Sequence, residues 1–311
     1  MIVTLTLNPA LDKSTEVEKL VPEKKMRCAS LRIDAGGGGI NVSKAIHELG
    51  GKTLAVFPSG GLNGKIMEGL LDKEGISHHT IPIKDETREN FVATELSSGK
   101  QYRFVMPGPA LGDDELEACK SLIKNMNPSP RFLICSGSLP PGVSEDFFAI
   151  IAGIAKNKKI KLIVDTSGPA LKKALDAGVY LLKPNLSELC SLVGKDWLEL
   201  SQIEEAAREV ISHSGCEAVV ASMGPAGAVL VTKNITKRMT APVVKKLSTV
   251  GAGDSMVAGM VWMLGKGEPL EEAVRFGVAC GTAATMNKGT ELFRKEDVFR
   301  IYQWMQSNNT A

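Results

Sequence analysis

A chain of 311 residues with 43% hydrophobic and 23% charged side chains can bury a full core, which excludes a disordered or fibrous protein. Its 37 basic and 35 acidic residues leave a formal net charge of +2, so no broad basic field is offered to nucleic acid or to a membrane surface. The six cysteines are scattered without metal-ligand or redox spacing, and no apolar run approaches the roughly 18 residues that span a bilayer, so the sequence reads as cytoplasmic.

In chain order, residues 2–7 predict a first buried strand, and residues 11–34 are polar and irregular with scattered alternation. Gly36, Gly37, Gly38 and Gly39 then lead through Ile40 and Asn41 into a helical pattern carrying Val42, Ala45, Ile46 and Leu49. Four glycines let a ligand approach the backbone closely, and Asn41 can hydrogen-bond a hydroxyl; a flexible loop is the plainer alternative. A dinucleotide fingerprint is not met, because Asn41 stands where its third glycine belongs and the acid some ~20 residues on is missing. Residues 59–66 imitate a Walker loop but lack its first glycine and its final Ser or Thr.

A strand at 53–57 and a helix with Met67, Leu70 and Leu71 follow. Residues 89–105 predict a hairpin, with Phe91 to Leu96 and Gln101 to Val105 flanking Ser97-Ser98-Gly99-Lys100. Neither this hairpin nor the 11–34 stretch has a helix to cover it. Together they predict a small sheet whose apolar face closes over a ligand or pairs with another subunit. Lys25, Arg27, Arg88 and Arg103 all fall in or beside these stretches. Most such charges are solvated, but a lid would bring them over a bound phosphate.

Strands at 132–135, 161–164, 180–182, 218–222 and 228–232 alternate with helical patterns, which predicts an α/β protein with a largely parallel sheet covered on both faces. Ser201 and Glu204 have the spacing of a capping box before the helix of Ala206, Ala207, Val210 and Ile211. After residue 242 the chain turns mainly helical, over 255–266, 270–286 and 295–306.

Two late segments carry candidate chemistry. In Lys183-Pro184-Asn185-Leu186-Ser187-Glu188, Asn185 and Glu188 share a helical face and could hold a hydrated Mg2+, with Asp165 adding a carboxylate from the preceding strand. A plain capping box fits that spacing equally well. In Ser248-Thr249-Val250-Gly251-Ala252-Gly253-Asp254, small residues and a helix start can gather backbone amides on a phosphate, and Asp254 could take a proton from an attacking hydroxyl. A simple helix cap is the alternative for Asp254. The four histidines show no triad or zinc pattern.

The order Gly-Gly-Gly-Gly-Ile-Asn-Val, Lys-Pro-Asn-x-x-Glu and Thr-Val-Gly-Ala-Gly-Asp resembles the phosphofructokinase-B, or ribokinase-like, sugar kinase family over nearly the whole chain. The resemblance implies a ribokinase-like three-layer α/β/α domain with a mainly parallel central sheet plus a small β-sheet lid. Residues 1–10, 35–84 and 108–311 would form the main domain, and 11–34 and 85–107 a lid that is also the dimer interface. Thr6-Leu7-Asn8-Pro9-Ala10-Leu11-Asp12 is similar to the branch acting on phosphorylated ketohexoses. Within that branch Gly38 and Ser136-Gly137-Ser138-Leu139-Pro140-Pro141-Gly142 resemble the 6-phosphofructokinases, whereas Asn8 is more usual in kinases of fructose 1-phosphate and tagatose 6-phosphate.

The implied reaction is ATP-dependent phosphorylation of the 1-hydroxyl of fructose 6-phosphate, giving fructose 1,6-bisphosphate. The alternatives are a 1-phosphofructokinase, a tagatose-6-phosphate kinase, or a catalytically silent sugar-phosphate sensor. By the same resemblance, Asp254 is the base, while Gly251, Ala252 and Gly253 stabilise the transferring phosphoryl group. Asp12, Gly37, Gly38, Asn41 and Ser138 hold sugar hydroxyls; Lys25, Arg27, Arg88 and Arg103 hold the 6-phosphate, some from a neighbouring subunit. Lys183, Asn185, Ser222, Gly224, Gly227, Ser248, Thr249 and Asn287 line the ATP site. Glu188, with Asp165 beside it, orders Mg2+ through water, and carbonyls near Ser248, Val250, Asn287 and Gly289 bind K+. Glu291 is acidic where a basic residue is expected in that cation loop. The partners are ATP and a phosphoketohexose, the assembly is a homodimer, and the family leaves room for inhibition by a second ATP.

Overall fold

A computed structural model describes residues 1–29 and 31–308, so residue 30 of the expected lid and residues 309–311 of the expected main domain lie outside the described residues. In chain order the strands are β1 (Ile2–Leu5), β2 (Ala10–Val17), β3 (Arg32–Gly36), β4 (Leu54–Ser59), β5 (His78–Pro82), β6 (Glu89–Glu95) and β7 (Gln101–Val105). They continue as β8 (Phe132–Ser136), β9 (Lys161–Asp165), β10 (Leu181–Leu182), β11 (Ala218–Ser222), β12 (Ala228–Thr232) and β13 (Thr236–Met239). The helices are α1 (Gly38–Glu48), α2 (Gly61–Lys73), α3 (Asp113–Asn125), α4 (Phe147–Asn157) and α5 (Gly168–Ala177). After them come α6 (Leu186–Leu192), α7 (Ile203–His213), α8 (Ala252–Lys266), α9 (Leu270–Ala284) and α10 (Lys295–Asn308).

Because successive strand residues point to opposite faces, a run that is apolar at every position must be covered on both sides. Strand β8 shows the result: Leu133 and Cys135 join a core with α3, α4, α5 and α7, while Phe132 and Ile134 join a second core with α1, α8, α9 and α10. The sheet between these layers runs β13-β12-β11-β10-β9-β8-β1-β4-β5. Its strands are parallel from β5 through to β11, and β12 and β13 are antiparallel at one edge.

The connections set the position of a site. From β1 the chain builds outward through β4 to β5, and from β8 it builds the other way through β9, β10 and β11. Neighbouring β1 and β8 therefore send their chains apart at their carboxyl ends, which opens a crevice there.

A second sheet, β3-β2-β6-β7, stands beside the first, with β2 parallel to β6 and the outer pairs antiparallel. The hairpin of β6 and β7 matches the sequence reading, and the 11–34 stretch joins it in one small sheet as expected, through β2 and β3, whose bounds the polar sequence does not mark. The sheet is also not bare at its base: Leu11 and Ala35 share a buried cluster with Ile40, Met67 and Leu71 of α1 and α2. Farther out, Leu96, Tyr102, Phe104, Val105 and Met106 are exposed.

Three local readings are corrected. Strand β1 ends at Leu5, while β5 and β13 are additional edge strands of half-polar sequence. The capping box of Ser201 and Glu204 is not formed: Gln202 occupies the cap, Ser201 Oγ donates to Glu199, and Glu204 accepts from Arg238 Nε at 2.8 Å. The guanidinium reaching α7 from β13 is a stronger partner for Glu204 than a single backbone amide.

Candidate active site

The crevice at the ends of β1 and β8 receives side chains from four separate segments. Gly251 begins α8 in the left-handed conformation, with φ of +69°, and turns the chain so that Asp254 lies in the first helical turn. Asp254 is not a cap. Its Oδ2 accepts from Asn41 Nδ2 at 2.9 Å, and its Oδ1 accepts from Ser136 Oγ at 3.4 Å. Asn41 is placed by the first turn of α1, where its amide bonds Gly37 O at 2.9 Å and Ile40 N donates to Thr6 Oγ1 at 3.1 Å. The four glycines therefore form the tight entry to a helix rather than a loose loop. Gly37 has φ of +121°, and a Cβ on Gly38 would collide with Ser136 Oγ.

Asp254 sits among other charges. Burial raises its carboxyl to about 6, and repulsion from Asp165 adds to that; the bonds from Asn41 and Ser136 and the charge of Lys183 oppose the rise. Lys183 is 5% exposed and its Nζ lies 3.3 Å from Asp165 Oδ1. Burial alone would lower this ammonium, but Asp165, Glu188 and Asp254 outweigh it and hold it above its ordinary value. A Cβ on Gly253 would lie 3.3 Å from Lys183 Nζ, so the lysine crosses directly beside the amides that open α8. Of the first-turn amides, Ala252 N makes one long bond to Thr249 O at 3.4 Å, while the next ones lack helical acceptors and can meet an anion.

Asn185 and Glu188 do form a reciprocal capping box on α6, each side chain accepting the other's amide at 2.9 Å. Burial raises the Glu188 carboxyl above its ordinary value, against that bond and the charge of Lys183. Ser222 is tied beside this turn, with its amide and hydroxyl both donating to Pro184 O, at 2.8 and 3.3 Å. Gly224 and Gly227 follow with φ of +56° and +88°, and a Cβ on Gly227 would strike Met239 O. Ser248 Oγ donates to Gly289 O at 2.9 Å and accepts from Val250 N at 3.2 Å. That serine bond and Leu247 N to Thr285 O at 2.8 Å stitch the loop before α8 to the one after α9, which Asn287 Nδ2 closes internally on Leu292 O at 2.9 Å, and Thr249 is exposed beside them.

On the other side, Asp12 of β2 accepts from Asn90 Nδ2 of β6 at 2.8 Å. Burial raises the Asp12 carboxyl, while Asn90 and Arg88 oppose the rise. Arg88 is already engaged, donating to Asn8 O at 2.9 Å, Met106 O at 3.0 Å and Pro9 O at 3.3 Å. Ser138 is exposed beside this knot and accepts from Asn8 Nδ2 at 3.2 Å. Three candidates are not drawn in. Lys25 and Arg27 are exposed on the connection between β2 and β3, and Arg103 is exposed on β7 with Gln101 as its bond partner. The residues that sequence reasoning missed are Ser136, Asn90 and Thr6. Ser136 ends the alternating face of Phe132 and Ile134, which was a usable signal; Asn90 emerges only from the Asp12–Asn90 register.

A doubly wound sheet with an acid and a glycine turn at its switch point, flanked by a small second sheet, is the ribokinase-like α/β fold of sugar kinases. The family model for pfkB family carbohydrate kinases matches residues 6–296, and the chain belongs to that family. It is 43% identical over 305 residues to the ATP-dependent 6-phosphofructokinase isozyme 2 of Escherichia coli (strain K12), covering 98% of each chain. It superposes on crystal structures of phosphofructokinase-2 from Escherichia coli at 42% identity, covering 98% of this chain and 99% of that one. The TM-score is 0.94 for the complex with potassium and 0.93 for the complex with substrates and products. No helix among the described residues is long and apolar enough to cross a membrane.

Proposed function

We propose that this chain is an ATP-dependent 6-phosphofructokinase, transferring the terminal phosphoryl group of ATP to the 1-hydroxyl of fructose 6-phosphate. The observation that carries the reaction is the placement of Asp254, bonded to Asn41 and Ser136 at the mouth of α8. A carboxyl raised to about 6 is ionised near neutral pH and is a better proton acceptor than an exposed aspartate. The hydroxyl proton passes to Asp254 as its oxygen attacks, and the amides of Ala252 and Gly253 stabilise charge on the transferring group. An intact base in a built site supports an enzyme over a silent sensor.

The substrate reading draws on the named relatives and on Gly38, whose missing side chain leaves Ser136 free to reach Asp254. Asp12 and Asn41 are the hydroxyl ligands in this reading, with Gly37, Gly38 and Ser138 around them. Arg88 meets the 6-phosphate with the N–H groups its three carbonyl bonds leave over. Lys25, Arg27 and Arg103 reach that phosphate only through movement of the small sheet or from a second subunit. The exposed Tyr102, Phe104 and Val105 support such a homodimer, with the small sheet as lid and interface.

No trio of His, Cys, Asp or Glu among the described residues is arranged to hold a metal. That fits an Mg2+ carried mainly by water and nucleotide phosphates, with Glu188 and Asp165 on its water shell. When bound, the ion neutralises phosphate charge. The carbonyl-rich loops of Ser248, Val250, Asn287 and Gly289 suit K+, and potassium is present in the Escherichia coli structure. Ser222, Asn185, Lys183, Gly224, Gly227 and Thr249 complete the nucleotide side. Six free thiols fit a reducing, cytoplasmic location. The test is ADP production with ATP and Mg2+ against fructose 6-phosphate, fructose 1-phosphate and tagatose 6-phosphate. The highest kcat/KM on fructose 6-phosphate is expected, and a clear preference for another sugar would overturn the substrate.

A further inference from the structure

Asn8 lies where three segments meet, and its amide is divided between them. Its backbone carbonyl accepts from Arg88, and its Nδ2 crosses 130 residues of sequence to donate to Ser138 Oγ at 3.2 Å. The side-chain oxygen Oδ1 is buried and has no hydrogen-bond partner among the described residues, in a residue only 6% exposed. Bare backbone closes over it: a Cβ on Gly108, just beyond the end of β7, would overlap Asn8 Oδ1. A buried amide oxygen left unpaired costs stability, and an apolar side chain of similar size would avoid that cost.

The compensation lies in the direction of one proton. A serine hydroxyl has one hydrogen and two acceptor lone pairs, so accepting from Asn8 commits a lone pair and leaves the hydrogen to point elsewhere. Ser138 is exposed two residues beyond β8, on the loop that leaves that strand at the crevice. The segment that carries it is firm, since Gly137 N donates to Asp165 O at 3.0 Å and the glycine holds φ of +107°. We infer that Asn8 is a positioning residue that presents the Ser138 hydroxyl as a hydrogen-bond donor to an oxygen of the bound phosphosugar. This rests on the sugar-kinase reading of the site and adds to it a residue that touches neither substrate nor nucleotide.

The test is a cycle of Asn8→Ala, Ser138→Ala and the double variant, run on whichever of the three phosphoketohexoses the wild-type protein turns over best. Asn8→Ala is expected to raise KM for the sugar roughly five- to twentyfold, as loss of a directed hydrogen bond would, with kcat and KM for ATP little changed. Ser138→Ala is expected to do the same, and the double variant to be no worse than either single one. The thermal midpoint of Asn8→Ala should stay within a few degrees of wild type, because the variant also removes the orphaned oxygen. Additive losses, an unchanged sugar KM, or a KM rise shared equally by ATP would each overturn the inference. If Asn8→Ala fails to fold, the role is structural as far as that variant goes, and Asn8→Ser, a shorter donor, decides: a raised sugar KM absent from the Ser138→Ala background upholds the positioning role. Failure of the substrate reading appears separately, as wild-type preference for another sugar, while no turnover on any sugar would overturn both.

Discussion

The side-chain amide of Asn41 donates to Asp254 Oδ2 at 2.9 Å, joining the glycine-rich entry of α1 to the first turn of α8 across 213 residues of sequence. Each residue had a bland local reading, one as a loop asparagine and one as a helix cap. The bond between them removes both, because Gly251 holds the cap position and Asp254 is turned toward the crevice. The base is thus oriented by the element that also holds the sugar in the proposed reaction.

Replacing Asp254 with Asn should leave both substrates bound but cut kcat by about 10²–10⁴. Stability provides a second readout. The wild-type carboxyl, raised from 3.8 to about 6, favours folding fully below pH 4, and that contribution is lost as pH rises through 6. Relative to wild type, Asp254→Asn should therefore gain on the order of 1–3 kcal/mol between pH 4 and pH 8. Thermal unfolding of both proteins across that range checks the sign.

The wild-type rate should fall on the acid side as Asp254 takes up its proton, with a limb in kcat/KM near pH 6. A limb near pH 4 would mean that the base is not desolvated as the site geometry requires.

Lys183→Met removes the cation that Asp165, Glu188 and Asp254 share. Stranding the Asp165 carboxylate should cost about 3 kcal/mol of stability. With the opposing charge gone, the acid limb should move to higher pH and KM for ATP should rise. An unmoved limb would separate Lys183 from the base.

Much of the site was legible because its motifs are local: glycine turns, Lys183 to Glu188, and the run ending at Asp254 each lie within a few residues. The fold class was legible for a similar reason, since β8, β9, β11 and β12 are nearly unbroken apolar runs. What escaped was non-local or amphipathic. Strand β2 carries Asp12, Lys13, Ser14 and Glu16, so its alternation was masked by charge, and it is recognisable mainly through pairing with β6. The Asp12–Asn90 bond spans 78 residues and follows from register alone. Glu204 of α7 misled because its partner Arg238 lies on β13, 34 residues further along the chain.

Arg88→Ala should raise KM for the phosphosugar more than KM for ATP, and should also lower the thermal midpoint, because three backbone carbonyls lose their donor at once. Arg88→Lys should recover little, since one ammonium cannot reproduce a planar fork aimed at Asn8, Pro9 and Met106. Recovery by lysine of both stability and KM would show that charge alone is required.

Gly38→Ala tests the crowding around the base. The added Cβ meets Ser136 Oγ and lies 3.0 Å from Gly137 N, so Ser136 must swing away from Asp254. A loss of at least about tenfold in kcat/KM for the sugar is expected, near 1.4 kcal/mol. Near wild-type kinetics would show that Ser136 contributes nothing to the site.

The most direct test of the central claim is a phosphorus-31 spectrum recorded while the protein acts on ATP and fructose 6-phosphate with Mg2+. A second phosphomonoester resonance, split by the two protons on C1 and growing in step with ADP, is the predicted result, and it should be nearly absent with Asp254→Asn. ADP appearing with inorganic phosphate alone, or no ADP at all, would contradict the assignment of Asp254 as the base that directs phosphoryl transfer to the sugar 1-hydroxyl.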